Sequence, residues 1–212
     1  MQKTQGEKFF WKGAEAELSQ KTFEGRNLLS KKRIPKGYRN KKLDSIIRKT
    51  RTRGEAKLIR EASSVINVPG IFSVNEEKAE IMMEFIKGKQ LKEEIGKNVF
   101  YCTRAGREIR KMHDAGIIHG DLTTSNIIIA QFNEETGERI KKRGELFFVD
   151  FGLGYFSKKL EDRATDLVVF KKTFNATHSN IKNGWALVME GYNPEKDLVE
   201  RMKVIEKRAR YH

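Results

Sequence analysis

Two polar loops, each adjoining a run of apolar β-formers, constrain this chain most. Residues 119–130 read HGDLTTSNIIIA, and residues 145–151 read ELFFVDF. A polar stretch from about Asn133 to Gly144 separates them and reads as a hairpin. Pairing the two strands across it brings Asn126, just before one strand, close to Asp150, just after the other. Two oxygen-bearing side chains at one spot make a partial shell for a hard cation, leaving positions for water and phosphate oxygens. Asp121 is then placed to accept a proton from, or orient, an attacking hydroxyl. A turn with Asx hydrogen bonds accounts for Asp121 and Asn126 taken alone. It leaves Asp150 unexplained.

The rest of the chain divides by pattern. FFWKGAEAEL, KTFEG and RNLLSKKRI read as three short strands joined through Gly13 and Gly25. A charged helix follows over roughly 42–64, its apolar positions Ile46, Ile47, Ala56, Ile59 and Ala62, and Pro69-Gly70 breaks it. IFSV and AEIMMEF form a hairpin across NEEK. After Gly88 the pattern turns helical: Cys102, Ala105, Ile109 and Met112 make an apolar stripe that ends at Gly116 as a C-cap. Helices return from about 162, the last with Asn193 as N-cap, Pro194 in its first turn, and Leu198, Met202, Ile205 and Ala209 as its apolar face. The expected fold class is α+β: a β-rich lobe over 1–83, a hinge at 84–88, and a mostly helical lobe over 89–212.

Composition narrows the setting. The longest uninterrupted apolar run, Trp185 to Met189, is five residues, against roughly 20 for a membrane span, so no membrane is expected. The N-terminal MQKTQGEKFFWKG lacks the apolar stretch of a secretory signal. The one cysteine, Cys102, has no disulfide partner and no zinc-site companions, so it is read as a core residue in a reducing, cytoplasmic setting. The net charge of +14 is concentrated: residues 31–60 hold thirteen Lys and Arg against Asp44 and Glu55. Such a block suits a polyanion such as RNA, and the tail EKRARYH adds a second basic patch.

The motifs GAEAEL (13–18), KKRIPKGYR (31–39), RTRGEAKLI (51–59), MEFIKGKQL (83–91), MHDAGIIHGDLTTSNIII (112–129), VDFGLG (149–154) and EDRATDL (161–167) occur in order at kinase spacing. Together they resemble the small atypical serine/threonine kinase of the KEOPS complex, PRPK in animals, in an archaeal-like standalone form related to the RIO kinases. The resemblance implies a two-lobed protein-kinase-like fold with a minimal C-lobe, and roles for particular residues. Lys31 reaches the α- and β-phosphates of ATP, with Glu55 as its ion-pair partner. Gly13 is what remains of a glycine-rich phosphate cover. Met83 is the gatekeeper, the backbone of Glu84 and Ile86 meets adenine, and Ile128 packs beneath the ring. Asp121 is the catalytic base, Asn126 and Asp150 hold Mg2+, and Asp166 braces the catalytic loop.

The implied activity is Mg-ATP-dependent serine/threonine phosphorylation, including autophosphorylation, together with ATP hydrolysis. It would support a glycoprotease-like subunit that installs threonylcarbamoyl-adenosine on tRNAs reading ANN codons, beside a small regulatory KEOPS subunit. tRNA would meet residues 31–60 and the C-terminal tail. Departures from ordinary kinases point the same way. Thr123 stands where a lysine usually meets the transferred phosphate, and only sixteen positions separate Asp150 from Asp166, which leaves no protein-substrate platform. Two alternatives remain: an aminoglycoside- or choline-type phosphotransferase, and a non-catalytic tRNA-binding module. His119 is expected to be structural, and His178 carries no signal.

Overall fold

The structure is a computed structural model that describes residues 5–13, 15–130 and 144–209, with side chains from Gly13 onward. The expected hairpin at 133–144 and the end of the basic tail therefore lie almost wholly outside the described residues.

Five antiparallel strands open the chain. β1 (Gln5–Lys12), β2 (Ala16–Phe23), β3 (Arg26–Arg33), β4 (Ile71–Asn75) and β5 (Glu80–Glu84) pair in the order β1-β2-β3-β5-β4. KTFEG is not a strand of its own. Residues 16–23 form one strand paired with β3 along its whole length, from Ala16 opposite Arg33 to Phe23 opposite Arg26. The joints fall at Gly13 and Gly25 as expected, and the Gly13 N–H donates to the Ala16 carbonyl.

Helix α1 (Lys41–Ala62) starts on Asn40, whose side chain accepts from the Lys42 and Leu43 amides. Its buried face carries Thr52, Glu55, Ala56, Leu58, Ile59 and Ala62. Ile46, expected to be on that face, is 53% exposed, because the side of α1 turned inward in its first turns is the one that carries Asp44. Asp44 takes the buried position there, bonded to Arg48 Nε at 2.7 Å.

Past β5 the chain does not pass straight into helix. β6 (Gly88–Gln90) first joins β8 (Ile127–Ala130) and β9 (Leu146–Phe148) in a three-stranded sheet. Next to it run α2 (Leu91–Glu94) and α3 (Phe100–Asp114). The expected stripe is the core-facing side of α3, with Cys102, Ala105, Ile109 and Met112 fully buried. Burial pushes the Cys102 thiol up to about 11, so it behaves as an inert packing group. β7 (Ile117–Ile118) pairs with β10 (Tyr155–Phe156), and α4 (Leu160–Thr177), α5 (Gly184–Tyr192) and α6 (Lys196–Arg208) complete the chain.

Asn193 does not cap α6. It ends α5 in the left-handed region (φ 51°), and its amide closes onto the Met189 carbonyl. The N-cap of α6 falls two residues later, at Glu195, and the helix begins at Lys196. Leu198 and Met202 are buried as expected, and Ala209 lies past the helix, exposed.

One apolar core joins α1, α3, α4, α5 and α6 through Leu58, Ile59, Ile109, Met112, Phe170 and Phe174, among others. A smaller cluster of Ala56, Ile81 and Met83 seals the sheet against α1. The cleft between the β-rich and helical parts therefore has α1 and β3 on one side and the Asp121 and Asp150 loops on the other.

Candidate active site

β3 supplies the site's cations. Lys31 pairs with Ile81 of β5 on one side and Leu18 of β2 on the other, so its backbone is fixed within the sheet. Its ammonium lies 2.6 Å from Glu55 Oε1 and 2.7 Å from Asp150 Oδ1. Burial alone would lower the Lys31 pKa, but the Glu55 and Asp150 carboxylates outweigh it, and the net shift is upward. For Asp150, burial pushes the carboxyl up and the Lys31 charge outweighs it, so the net shift is downward. Asp150 sits in the left-handed region at φ 64°, a conformation that Asp tolerates better than most residues and that aims the carboxylate at Lys31.

The loop before β8 supplies the second half. Asn126 Nδ2 donates to the Asp121 carbonyl at 2.8 Å and to Asp121 Oδ2 at 3.0 Å. This fixes the amide so that Asn126 Oδ1 is left as an acceptor. β8 and β9 pair with Ile127 opposite Phe148, and the Val149 N–H donates to the Asn126 carbonyl at 2.9 Å. That register sets Asn126 beside the chain that leads into Asp150. Among the described residues no group of three or more His, Cys, Asp or Glu side chains is arranged to hold a metal ion. A hard cation at Asn126 Oδ1 and Asp150 would therefore take its remaining ligands from water or phosphate oxygens, and the donor set fits that arrangement.

Buried scaffolding holds both loops. Gly120 has φ 77°, and a Cβ there would lie 2.3 Å from the Leu153 carbonyl, so only glycine lets the Asp121 loop approach the Asp150 loop this closely. Asp166 accepts from the His119 and Gly120 amides at 2.9 and 3.0 Å and from His113 Nε2 at 3.1 Å. His113 Nδ1 in turn meets the Tyr192 hydroxyl at 3.0 Å. The His119 ring, fully buried, donates from Nε2 to the Val149 carbonyl at 3.1 Å and ties the two loops together. Burial lowers its pKa, so it is neutral at pH 7.

At the other end of the cleft, Met83 is buried against Ala56 and Ile81. The Glu84 amide is taken by the Gly70 carbonyl and the Phe85 amide by the Asn27 carbonyl. Ile128 pairs with Gln90, and its Cγ2 would touch a Cβ on Gly88, which places it under the same segment. Gly13 stands at the β1–β2 turn.

Three contributors were not legible as site residues. Arg33, 4% exposed, bonds Glu55 Oε2 at 2.6 Å. Strand alternation carried the signal, since a residue two positions from Lys31 shares its face. His178 is buried and meets Thr124 Oγ1, in the Asp121 loop, at 2.9 Å. The His113–Tyr192 pair had no sequence signal, because the 79 positions between them are closed only by the packing of α3 on α5. The basic block also changes character. Arg48 pairs with Asp44 inside the block, while Lys49 pairs with Glu77, Arg51 with Glu15 and Arg53 with Glu76, so acids from elsewhere in the sequence also interleave with it in space.

The model of the lipopolysaccharide kinase (Kdo/WaaP) family matches residues 5–192. A probable bifunctional tRNA threonylcarbamoyladenosine biosynthesis protein of Methanobrevibacter smithii is 42% identical over 94% of the chain and 36% of its own length. The chain thus spans about a third of the bifunctional relatives it matches. The KEOPS complex subunit Bud32 of Pyrococcus abyssi is 36% identical over 87% of the chain and 84% of its own length. Among solved structures, WaaP in complex with acyl carrier protein superposes with a TM-score of 0.66 at 13% identity, covering 98% of this chain and 89% of that one. The Rio2 kinase of Chaetomium thermophilum, in an ADP/Mg2+-phosphoaspartate complex, gives 0.60 at 15% identity over 98% and 71%. The fold is kinase-like in two lobes.

Proposed function

Since the chain belongs to the lipopolysaccharide kinase (Kdo/WaaP) family and to that of the KEOPS complex subunit Bud32, we propose that it is a Mg-ATP-dependent phosphotransferase and ATP hydrolase of a KEOPS assembly. It supports threonylcarbamoyl-adenosine modification of tRNA beside a glycoprotease-like subunit and a small regulatory one. Residues 1–83 and 89–212 act as its lobes and 84–88 as its hinge.

The observation that carries the reading is the convergence of Lys31, Glu55 and Asp150 within 2.7 Å contacts, beside the Asp121–Asn126 pair. In this reading Lys31, held by Glu55, neutralises the α- and β-phosphates. Asn126 Oδ1 and Asp150 would hold the magnesium ion, which would screen the charge of the phosphates. Asp121, its carboxylate oriented by Asn126, accepts the proton of the attacking water or hydroxyl as the new oxygen–phosphorus bond forms and the bond from the γ-phosphorus to the β–γ bridging oxygen breaks, releasing ADP. Glu84 and Ile86 read the base edge between Met83 and Ile128. The path from Asp150 to α4 is short, which favours water or a serine of the chain itself as acceptor. The basic surface favours tRNA as a further partner, contacted by exposed lysines such as Lys41 and Lys42 and by the C-terminal tail.

The test is release of labelled phosphate from Mg-ATP by the pure chain, alone and with tRNA and the glycoprotease-like subunit. Release that rises with both additions and disappears in Asp121→Ala supports the proposal. Equal release by wild type and Asp121→Ala contradicts it.

A further inference from the structure

The β1–β2 turn keeps only Gly13 of a glycine-rich cover, so something other than glycine backbone must set its position over the cleft. The structure offers an alternating chain of charges. Glu55 is nearly fully buried and presents one oxygen to Lys31 and the other to Arg33, each at 2.6 Å. Arg33, on the same face of β3, also lies 3.8 Å from Glu15 Oε2. Glu15 belongs to the turn itself and is bonded by Arg51 Nη1 through both oxygens at 2.9 and 3.0 Å. The Ile34 N–H, just past β3, donates to the Glu15 carbonyl. Five side chains from β3, α1 and the turn are thus joined in the order Lys31, Glu55, Arg33, Glu15, Arg51.

Arg33 has no role in the kinase pattern described above, yet it is buried beside Lys31 and Glu55. A Cβ on Gly152 would lie 3.3 Å from Arg33 Nη2, 3.5 Å from Lys31 Nζ and 3.0 Å from Asp150 Oδ1, so both cations border the same backbone position after Asp150. A carboxylate bonded through one oxygen can swing away from its lysine. One gripped on both oxygens by buried cations cannot, and the guanidinium fork gives Arg33 donors for two acceptors at once.

We propose that Arg33 is a positioning residue of the nucleotide site: it locks Glu55 onto Lys31 and, through Glu15, ties the β1–β2 turn down over the phosphates. This rests on the Mg-ATP reading of the site. Arg33 does not touch the phosphates; it sets where Lys31 and the turn stand when they do. Replacing it leaves Glu55 with a free oxygen and the turn with only its Arg51 anchor.

The test measures Mg-ATP affinity, KM and kcat, with melting temperature alongside, for wild type, Arg33→Gln, Arg33→Lys, Glu15→Gln and the double variant. Glu15 is about half exposed, so Glu15→Gln keeps the fold and isolates the turn. Arg33→Gln is expected to weaken ATP binding about tenfold and to lower kcat, with Arg33→Lys recovering kcat in part but not affinity. Glu15→Gln is expected to raise KM about threefold with kcat unchanged, and the double variant to be no weaker than Arg33→Gln alone. Wild-type kinetics in folded Arg33→Gln, an unchanged KM in Glu15→Gln, or full additivity of the two would overturn the proposal. Absence of Mg-ATP binding by wild type would instead remove the reading beneath it, so the two failures are distinguishable.

Discussion

The ammonium of Lys31 lies 2.7 Å from Asp150 Oδ1, so the cation expected to meet phosphate and the carboxylate expected to meet the metal are paired across the cleft. Each keeps the other charged: Lys31 is raised above 10.5 and Asp150 is lowered below 3.8. The stabilising contribution of Asp150 is therefore present above its ordinary carboxylate range and lost as pH falls through its lowered value. That of Lys31 is lost only as pH rises past its raised value. Between pH 5 and 9 the pair does not titrate. In a rate–pH profile over that range, no limb should shift when Lys31 is replaced by Arg. A limb that moves with this substitution contradicts the pairing.

Asp166 is buried and accepts from two loop amides and a histidine ring. Asp166→Ala strands all three donors and should destabilise the fold by about 3–5 kcal/mol. The Asp121 loop loses its anchor in the same step, so turnover should fall in whatever fraction remains folded. Urea unfolding of the purified variant checks the magnitude, and a loss under 1 kcal/mol would show that the bonds are dispensable.

Helices α3 and α5 cross at near backbone contact. A Cβ on Gly106 would fall 2.0 Å from the Val188 carbonyl, and one on Gly191 would fall 1.9 Å from the Thr103 carbonyl. Either Gly→Ala change forces the helices apart and breaks the His113–Tyr192 bond that spans them. Each should cost roughly 3 kcal/mol or more. Thermal melts that leave either variant within a degree of wild type contradict the close crossing.

Much of the helical part was legible because its cores obey a simple period: Cys102, Ala105, Ile109 and Met112 all point inward on α3. The Asp121 and Asp150 loops were legible because polar residues beside buried strands stand out against their surroundings. Arg33 was hidden among neighbouring charges, although its phase on the strand matched that of Lys31. The ion pairs of Arg51 and Arg53 join residues 36 and 23 positions apart, which no local pattern can reveal. Asn193 misled because asparagine suits the end of one helix in the left-handed region as well as the start of the next.

His119 and His178 are both held neutral, each with its pKa lowered by burial. An unfolded histidine titrates near 6.5, so their contribution is whole above that pH and declines as pH falls below it. Denaturant midpoints should be flat from pH 7 to 8 and drop towards pH 5. His178→Gln keeps a polar partner for Thr124 and should shallow that drop. An acid slope that is unchanged in His178→Gln contradicts a share for His178.

Ion pairing within the basic block predicts which residues matter for RNA. Lys41 and Lys42 are exposed at the start of α1 and have no acidic partner among the described residues, whereas Arg51 and Arg53 are bonded to Glu15 and Glu76. Neutralising Lys41 and Lys42 should flatten the salt dependence of tRNA binding by about two units of slope, and neutralising Arg51 and Arg53 by under one. Equal losses in the two double variants would place RNA contact on both sets.

In the proposed function, Asp150 and Asn126 hold a cation on a triphosphate that Lys31 faces. Titration of ATP with and without magnesium, on wild type and Asp150→Ala, measures this linkage directly. Magnesium should tighten ATP binding to wild type at least tenfold and leave Asp150→Ala almost unaffected. The same magnesium enhancement in both proteins would contradict the account.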